Sequence, residues 1–259
     1  MFSTPIGYKL IASDMTAALK RTSEQPIVQR ESEYYLETIK TIKTVEDFIA
    51  NDRVFKYAMK AHGLQDMDYA KAFMRKVLKE GIDNPQSFAN KLSDTKYREF
   101  AETFNFARHG TTATIFEKAR QGTVDRYTRQ TLELDAGASN EGVRLALYFE
   151  RKVASVTTPL HLLADRALLK VTQIALGIPE ATATMDIDRQ VEMISKKLDI
   201  EDLKDPEKLD KFIGRFTALW ELENPTTTAA SSGITQLFGG YDLTIGYDLL
   251  TQMQNIRKV

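Results

Sequence analysis

Histidines are the side chains here best suited to acid–base or metal chemistry near neutral pH, and the chain has three, His62, His109 and His161. None belongs to an HExxH motif or another recognised pair of ligands. His62 could form a metal site with Asp66 and Asp68, but Asp66 is also placed to cap the following helix. We favour the structural interpretation, so the histidines predict no metal site.

Acidic residues cluster twice in the second half of the chain, and such clusters can bind Ca²⁺ through carboxylate oxygens. The first cluster is MDIDRQ, with Asp186 and Asp188, and the second is DIEDLKD. The carboxylates of the second cluster belong to Asp199, Glu201, Asp202 and Asp205. Neither segment has the ligand order or the central glycine of an EF-hand loop. Solvated helix ends are the better interpretation, because carboxylates are favourable at helix N-termini.

Nucleophilic and cofactor-binding motifs are missing from the sequence. There is no cysteine, which removes thiolate catalysis, disulfides and cysteine-ligated metals. The serines form no G-x-S-x-G, and the glycines form neither a GxGxxG nor a P-loop, while Gly239-Gly240 is typical of a hinge. The sequence therefore predicts a non-enzyme without catalytic, cofactor-binding or metal residues and without a cofactor. An enzyme with a site between two halves of the chain stays open as an alternative.

Charge and hydropathy exclude two further classes of protein. Lys and Arg number 35 against 36 Asp and Glu, with no basic stripe, so a nucleic-acid partner is not expected. No run of 18 apolar residues occurs, which predicts that the chain has no transmembrane helix. The first 25 residues also lack the apolar core of a cleaved secretory signal.

Hydrophobic spacing predicts an all-α fold with no significant sheet. Apolar residues recur at three- and four-residue steps in stripes such as Tyr8–Leu19, Tyr69–Leu78 and Leu209–Trp220. Asn84-Pro85, Thr158-Pro159 and Asp205-Pro206 have the composition of helix starts. Roughly ten helices of about a dozen residues would account for residues 8–222.

Two similar phrases suggest an internal duplication. Residues 52–64 read DRVFKYAMKAHGL and residues 165–178 read DRALLKVTQIALGI. In each we expect an Asp cap (Asp52, Asp165), a buried stripe and a closing glycine (Gly63, Gly177). The similarity extends to two helical units, which cover residues 34–106 and 147–222 and are bridged by 107–146.

Domain organisation follows from these units and from a change in composition near the C-terminus. Residues 1–225 are expected to form a single all-helical domain. Residues 226–233 are expected to be a linker, because TTTAASSG has no large apolar residue. The tail, 234–259, is expected to contain a helix with one apolar face, formed by Leu249, Leu250, Met253 and Ile256. This tail either packs back on the domain or docks on a partner.

The chain resembles an uncharacterised alphaproteobacterial family, a domain of unknown function. Its members are proteins of similar length, and their genes are commonly found in flagellar gene clusters. The resemblance is carried by residues 44–106, EGVRLALYFERK at 141–152, DRALLKVTQIALGIP at 165–179, MDIDRQVEMISKKLDI at 185–200 and DPEKLDKFIGRFTALWEL at 205–222. It covers nearly the whole chain, through the terminal QNIRKV. It implies an all-helical fold and a flagellar context, with no known site residues.

The resemblance favours a non-enzymatic, flagellum-associated structural or accessory protein that acts through protein–protein contacts with other flagellar or basal-body proteins. The alternative is a cytosolic flagellar regulator or an export chaperone that binds flagellar subunits. Localisation is expected to be cytoplasmic or flagellum-associated.

Overall fold

The computed structural model describes residues 2–226, and every regular element in that range is a helix. The predicted all-α class is confirmed. The first half contains nine α-helices: α1 (Thr4–Ala12), α2 (Met15–Ser23), α3 (Pro26–Ile39), α4 (Val45–Ala50), α5 (Asp52–Ala61), α6 (Lys71–Glu80), α7 (Phe88–Lys91), α8 (Thr95–Thr103) and α9 (Phe106–His109).

The second half of the described range contains six α-helices, which are longer on average than those of the first half. They are α10 (Gln121–Ser139), α11 (Glu141–Val153), α12 (Pro159–Ala164), α13 (Arg166–Leu176), α14 (Ile187–Ser195) and α15 (Pro206–Glu223). Short 3-10 helices connect some of them, at Gln65–Met67, Gly110–Thr112, Glu117–Ala119, Glu180–Thr184 and Ile200–Lys204. None of the helices in residues 2–226 combines the length and hydropathy that crossing a bilayer requires.

The number of helices differs from the expected ten because several apolar stripes are divided. The stripe at Tyr8–Leu19 is interrupted where Asp14 accepts a hydrogen bond from the backbone N–H of Ala17 and starts α2. Tyr69 lies outside α6 and is exposed, so it does not belong to the stripe in which we placed it. Hydrophobic spacing continues across such breaks, which is why it did not reveal them.

The predicted helix starts are correct at two of three Pro dipeptides. Pro159 and Pro206 each begin a helix, and Asp205 accepts hydrogen bonds from the N–H groups of Glu207 and Lys208. The prediction at Asn84-Pro85 was wrong. The Asn84 side chain accepts from the N–H of Gln86 in a tight turn, and α7 begins only at Phe88.

The two similar phrases both form capped helices, but their caps differ. Asp165 accepts from Ala167 and Leu168 at the start of α13, as expected. Asp52 is not a cap: Asn51 caps α5, and Asp52 lies in the first turn, where it pairs with lysines. Gly63 and Gly177 both have positive φ, at 69° and 61°, which confirms that they close their helices.

Two separate hydrophobic clusters form the interior. The first extends from Val28 to Tyr127 and is rich in aromatic rings, with the Phe48 and Phe104 centroids 4.8 Å apart. The second combines Tyr8 of α1 with residues of α11–α15. Helix α10 lies between them, because it packs on α5 on one side and on α11 on the other.

The elements of the two clusters follow a similar order. A longer helix (α3 or α11) precedes a six-residue helix (α4 or α12), a capped helix (α5 or α13) and then α6 or α14. In both halves the short helix contacts the next two helices. The internal duplication itself stays a prediction. The tail at 234–259, and the linker beyond Thr226, lie outside the described residues.

Candidate functional site

A buried group of charged side chains lies where α10 meets α11, and we call its members, Arg129, Glu133, Glu150 and Arg151, the polar seam. Glu133 is only 1% exposed. Its Oε1 accepts from Arg129 Nε at 2.9 Å and from Arg151 Nε at 2.7 Å, and its Oε2 accepts from a second Arg151 nitrogen at 2.7 Å. These charge-assisted hydrogen bonds compensate the desolvation of the Glu133 carboxylate.

The outer member of the polar seam is held less tightly. Glu150 Oε2 lies 3.6 Å from an Arg129 nitrogen that also donates to the carbonyl of Leu147 at 2.8 Å. Burial raises the pKa of the Glu150 carboxyl above its usual value, partly opposed by the charge of Arg129. Because the charges are paired with one another, the polar seam is suited to joining α10 to α11 rather than to transferring a proton.

His62 is buried close to the polar seam and does not form the metal site considered from the sequence. Its ring packs edge-on against Phe100, with centroids 5.2 Å apart, and neither ring nitrogen has a hydrogen-bond partner within residues 2–226. Burial lowers the pKa of His62 well below its usual value, and the nearby charges of Arg126, Lys152 and Arg151 lower it further.

The acidic residues considered as metal ligands together with His62 do not form a site with it. Asp66 belongs to the 3-10 helix Gln65–Met67 and does not cap α6, so the expected cap was wrong. No cluster of three His, Asp or Glu side chains able to hold a metal ion occurs within the described part of the chain.

The acidic segments considered for Ca²⁺ act as helix caps. Asp186, Asp199 and Asp205 each accept a hydrogen bond from a backbone N–H two residues further on. Asp202 pairs instead with Lys208. The interpretation as solvated helix ends is therefore confirmed for these carboxylates.

A polar cleft of about 280 Å³ separates α8 from α11–α13, at the junction of the two halves. Glu99 on one wall accepts from Lys152 on the other at 2.6 and 2.8 Å. Asp165 accepts from the hydroxyl of Tyr148, and the pKa of Tyr148 is raised by burial and by that carboxylate. His161 also lines the cleft, where its Nδ1 accepts from the N–H of Thr157 at 3.3 Å. The cleft contains titratable groups of the kind that the enzymatic alternative predicts, but Glu99 and Asp165 are engaged by neighbouring side chains.

Helix α1 is apolar on nearly every side, because Lys9 is its only charged residue. Its inner side buries Thr4 and Tyr8 against α11 and α15. Close approach depends on glycine: a Cβ built on Gly142 of α11 would lie 2.3 Å from the Trp220 ring and 2.7 Å from Thr4. The inner side of α1 is thus part of the second hydrophobic cluster.

The opposite side of α1 carries two exposed apolar side chains, Ile6 and Leu10, and Phe2 is exposed just before the N-cap Ser3. We call these three residues, which are 63% (Phe2), 56% (Ile6) and 59% (Leu10) exposed, the outer face of α1. The four-residue spacing of Ile6 and Leu10 aligns their side chains along the helix, about half a turn from Thr4 and Tyr8. A helix that is hydrophobic all round is normally buried on all sides. The sequence analysis missed this face, although the low charge of α1 was a readable signal.

Glu221 connects the start of α1 to the end of the described chain. One carboxylate oxygen accepts from the N–H and hydroxyl of Thr4 at 2.7 and 2.6 Å. The other accepts from the N–H of Thr226 at 3.0 Å and from its hydroxyl. Burial raises the pKa of Glu221, but these hydrogen bonds outweigh it and leave the pKa lowered. The chain therefore leaves α15 beside the first turn of α1.

The all-helical fold with two clusters defines the class of this protein, and comparison with known proteins then gives its family. Residues 61–209 match the model of a family described as a protein of unknown function (DUF1217), and the chain belongs to that family.

One solved structure is similar to the chain over most of its length. It is the X-ray crystal structure of protein AGR_C_984 from Agrobacterium tumefaciens, a structural genomics target. The two chains are 49% identical and superpose with a TM-score of 0.79, over 86% of this chain and 94% of that one. No curated protein matches the chain.

Proposed function

We propose that this protein is a non-enzymatic, flagellum-associated structural or accessory protein that acts through protein–protein contacts, with the outer face of α1 as a contact surface. The observation that supports the proposal most is the group of exposed residues Phe2, Ile6 and Leu10 at a helix whose other side is already packed. Clustered apolar side chains of this kind mark interaction sites.

The physical gain from covering this face is substantial. Burying a large apolar side chain contributes about 1.5–3 kcal/mol relative to leaving it exposed. Three such exposed side chains suit a partner that presents its own apolar helix face. The outer face of α1 thus fits contact between helices.

The flagellar context comes from the resemblance to a family whose genes are commonly found in flagellar gene clusters. It makes other flagellar or basal-body proteins the expected partners. Deleting the gene and scoring swimming and basal-body assembly tests this part of the proposal. We expect impaired motility or incomplete basal bodies, and normal swimming with complete flagella would contradict a flagellar role.

The location of the protein separates the proposal from the export-chaperone alternative. Recovery in purified hook–basal bodies supports a structural or accessory role. An exclusively cytoplasmic pool that co-purifies with an exported flagellar subunit would instead favour the chaperone or regulator.

A matched pair of variants tests whether the outer face of α1 is the contact surface. Ile6→Gln removes apolar surface from this face, whereas Tyr69→Gln removes a similarly exposed large side chain next to α6. We expect the gene encoding Ile6→Gln to restore motility of the deletion strain less well than the gene encoding Tyr69→Gln. Equal restoration by both would place the contact surface elsewhere.

A further inference from the structure

The C-terminal segment of the chain, residues 227–259, is a candidate to cover the outer face of α1. Residues 227–259 continue from Thr226, which Glu221 holds beside Thr4 at the start of α1. The remaining 33 residues therefore begin near the N-terminal end of α1, although Thr4 itself lies on the inner side of this helix.

The sequence of this segment contains an apolar row that matches the outer face of α1. Leu249, Leu250, Met253 and Ile256 fall at helical spacing. At 1.5 Å per residue, α1 spans about 12 Å from Thr4 to Ala12, and Leu249 to Ile256 would span about 10 Å as a helix. The apolar row expected from the sequence of the tail is thus about as long as α1.

The connection between them is long enough to allow contact within one molecule. Residues 227–248 include TTAASSG at 227–233 and the Gly239-Gly240 pair. A linker-like chain of this length would have a root-mean-square span of roughly 25 Å. Such a linker gives an effective concentration on the order of millimolar, which favours contact within the chain over contact between copies in dilute solution.

We propose that residues 249–256 dock on the outer face of α1 in the free protein. The C-terminal segment then covers Phe2, Ile6 and Leu10 until another protein replaces it. That regulatory consequence rests on the proposed function, because it requires a partner that uses the same face. The docking itself is a property of the isolated chain.

Cysteine cross-linking tests the docking directly, because the natural sequence has no cysteine to interfere. The full-length double variant Ile6→Cys/Met253→Cys is treated with a short bismaleimide, and the cross-linked products are separated by size. The matched control is Tyr69→Cys/Met253→Cys, whose first cysteine replaces a side chain that is even more exposed than Ile6 but lies next to α6. We expect at least a roughly tenfold faster cross-link within one molecule for the Ile6 pair, given the effective concentration of a docked segment.

Three outcomes would overturn the docking: equal rates for the two pairs, no cross-link, or cross-links mainly between two copies, which would make a second copy the occupant.

A second variant tests whether a fast cross-link reflects docking instead of chance proximity. Adding Leu249→Asp and Leu250→Asp to the Ile6 pair removes apolar contact outside the folded domain. We expect the fast cross-link to be lost, and an unchanged rate would contradict the proposal. Because this assay uses purified protein, its failure is distinct from a failure of the flagellar role, which motility reports.

Discussion

The polar seam places charged side chains inside the molecule, whereas the outer face of α1 places apolar side chains on its surface. Glu133 is almost fully buried between Arg129 and Arg151, and its oxygens accept hydrogen bonds from both. Phe2, Ile6 and Leu10 are more than half exposed and lie outside both hydrophobic clusters. Each region departs from the usual distribution of polar and apolar residues, but in opposite directions.

The two regions differ in whether their side chains have partners within the described residues. The charges of the polar seam are compensated by partners on α10 and α11, so this region explains how the two halves stay joined. The outer face of α1 has no such compensation within residues 2–226. Substitutions in the polar seam should therefore affect folding, and substitutions on the outer face should affect contacts.

Glu133→Ala should have the largest effect on stability. It removes the carboxylate that the partly buried Arg129 and Arg151 share, which costs up to about 3–5 kcal/mol of unfolding free energy. Urea denaturation measures the loss. As a control, Glu192→Ala removes a carboxylate from an exposed ion pair with Lys196 and should leave the urea midpoint unchanged. Similar losses for both variants would show that the polar seam is not structural.

Gly142→Ala tests whether the inner side of α1 is closely packed, in contrast to its exposed outer face. The added methyl group would lie 2.3 Å from the Trp220 ring, so α1 or α15 must move, at a cost of about 1–3 kcal/mol. Gly214→Ala on α15 is the matched control, since no atom lies within 4 Å of a Cβ at that position. We expect thermal unfolding to shift downward for Gly142→Ala alone, and an unchanged melting temperature would contradict the close packing.

The buried His62 should make stability depend on pH. Its pKa is lowered in the folded state, so below about pH 6.5 the unfolded chain binds a proton that the folded chain does not. Stability is therefore full above this pH and falls by about 1.4 kcal/mol per pH unit below it. Urea unfolding between pH 7.5 and 5.5 measures the slope. His62→Leu should reduce it, and an identical slope in this variant would assign the dependence to other groups.

Ile6→Gln should have the smallest effect on folding. Its side chain lies outside both hydrophobic clusters, so the unfolding free energy should change by less than about 1 kcal/mol. Ile213→Gln, at a fully buried position of the second cluster, should cost much more in the same urea titration. A loss for Ile6→Gln as large as that for Ile213→Gln would show that the outer face of α1 belongs to the core.

Local signals in the sequence predicted much of the fold. Asp165, Asp205 and the positive-φ glycines Gly63 and Gly177 have roles that depend on immediate neighbours, and these roles were predicted correctly. Asp52 and Asn84 were assigned wrongly because another residue or a tight turn provided a better local alternative. Cap residues of similar chemistry compete over one or two positions, which a sequence pattern alone does not decide.

Long-range arrangements were not predicted, for a physical reason. The bridge 107–146 contains α10, the longest helix within residues 2–226, and this helix lies between the two clusters. Arg129 and Glu133 lie four residues apart on α10, and only the packing of α11 brings Arg151 against Glu133. The outer face of α1 was equally hidden, because only the packed structure shows which side of α1 is already covered.

The role of the outer face of α1 is tested most directly by the fraction of an Ile6→Gln/Leu10→Gln variant that is recovered with purified basal bodies, divided by its total level in the cell. We expect a cellular level close to that of the unsubstituted protein and a clearly reduced basal-body fraction. An unchanged fraction at an unchanged cellular level would contradict the assignment of the outer face of α1 as a contact surface.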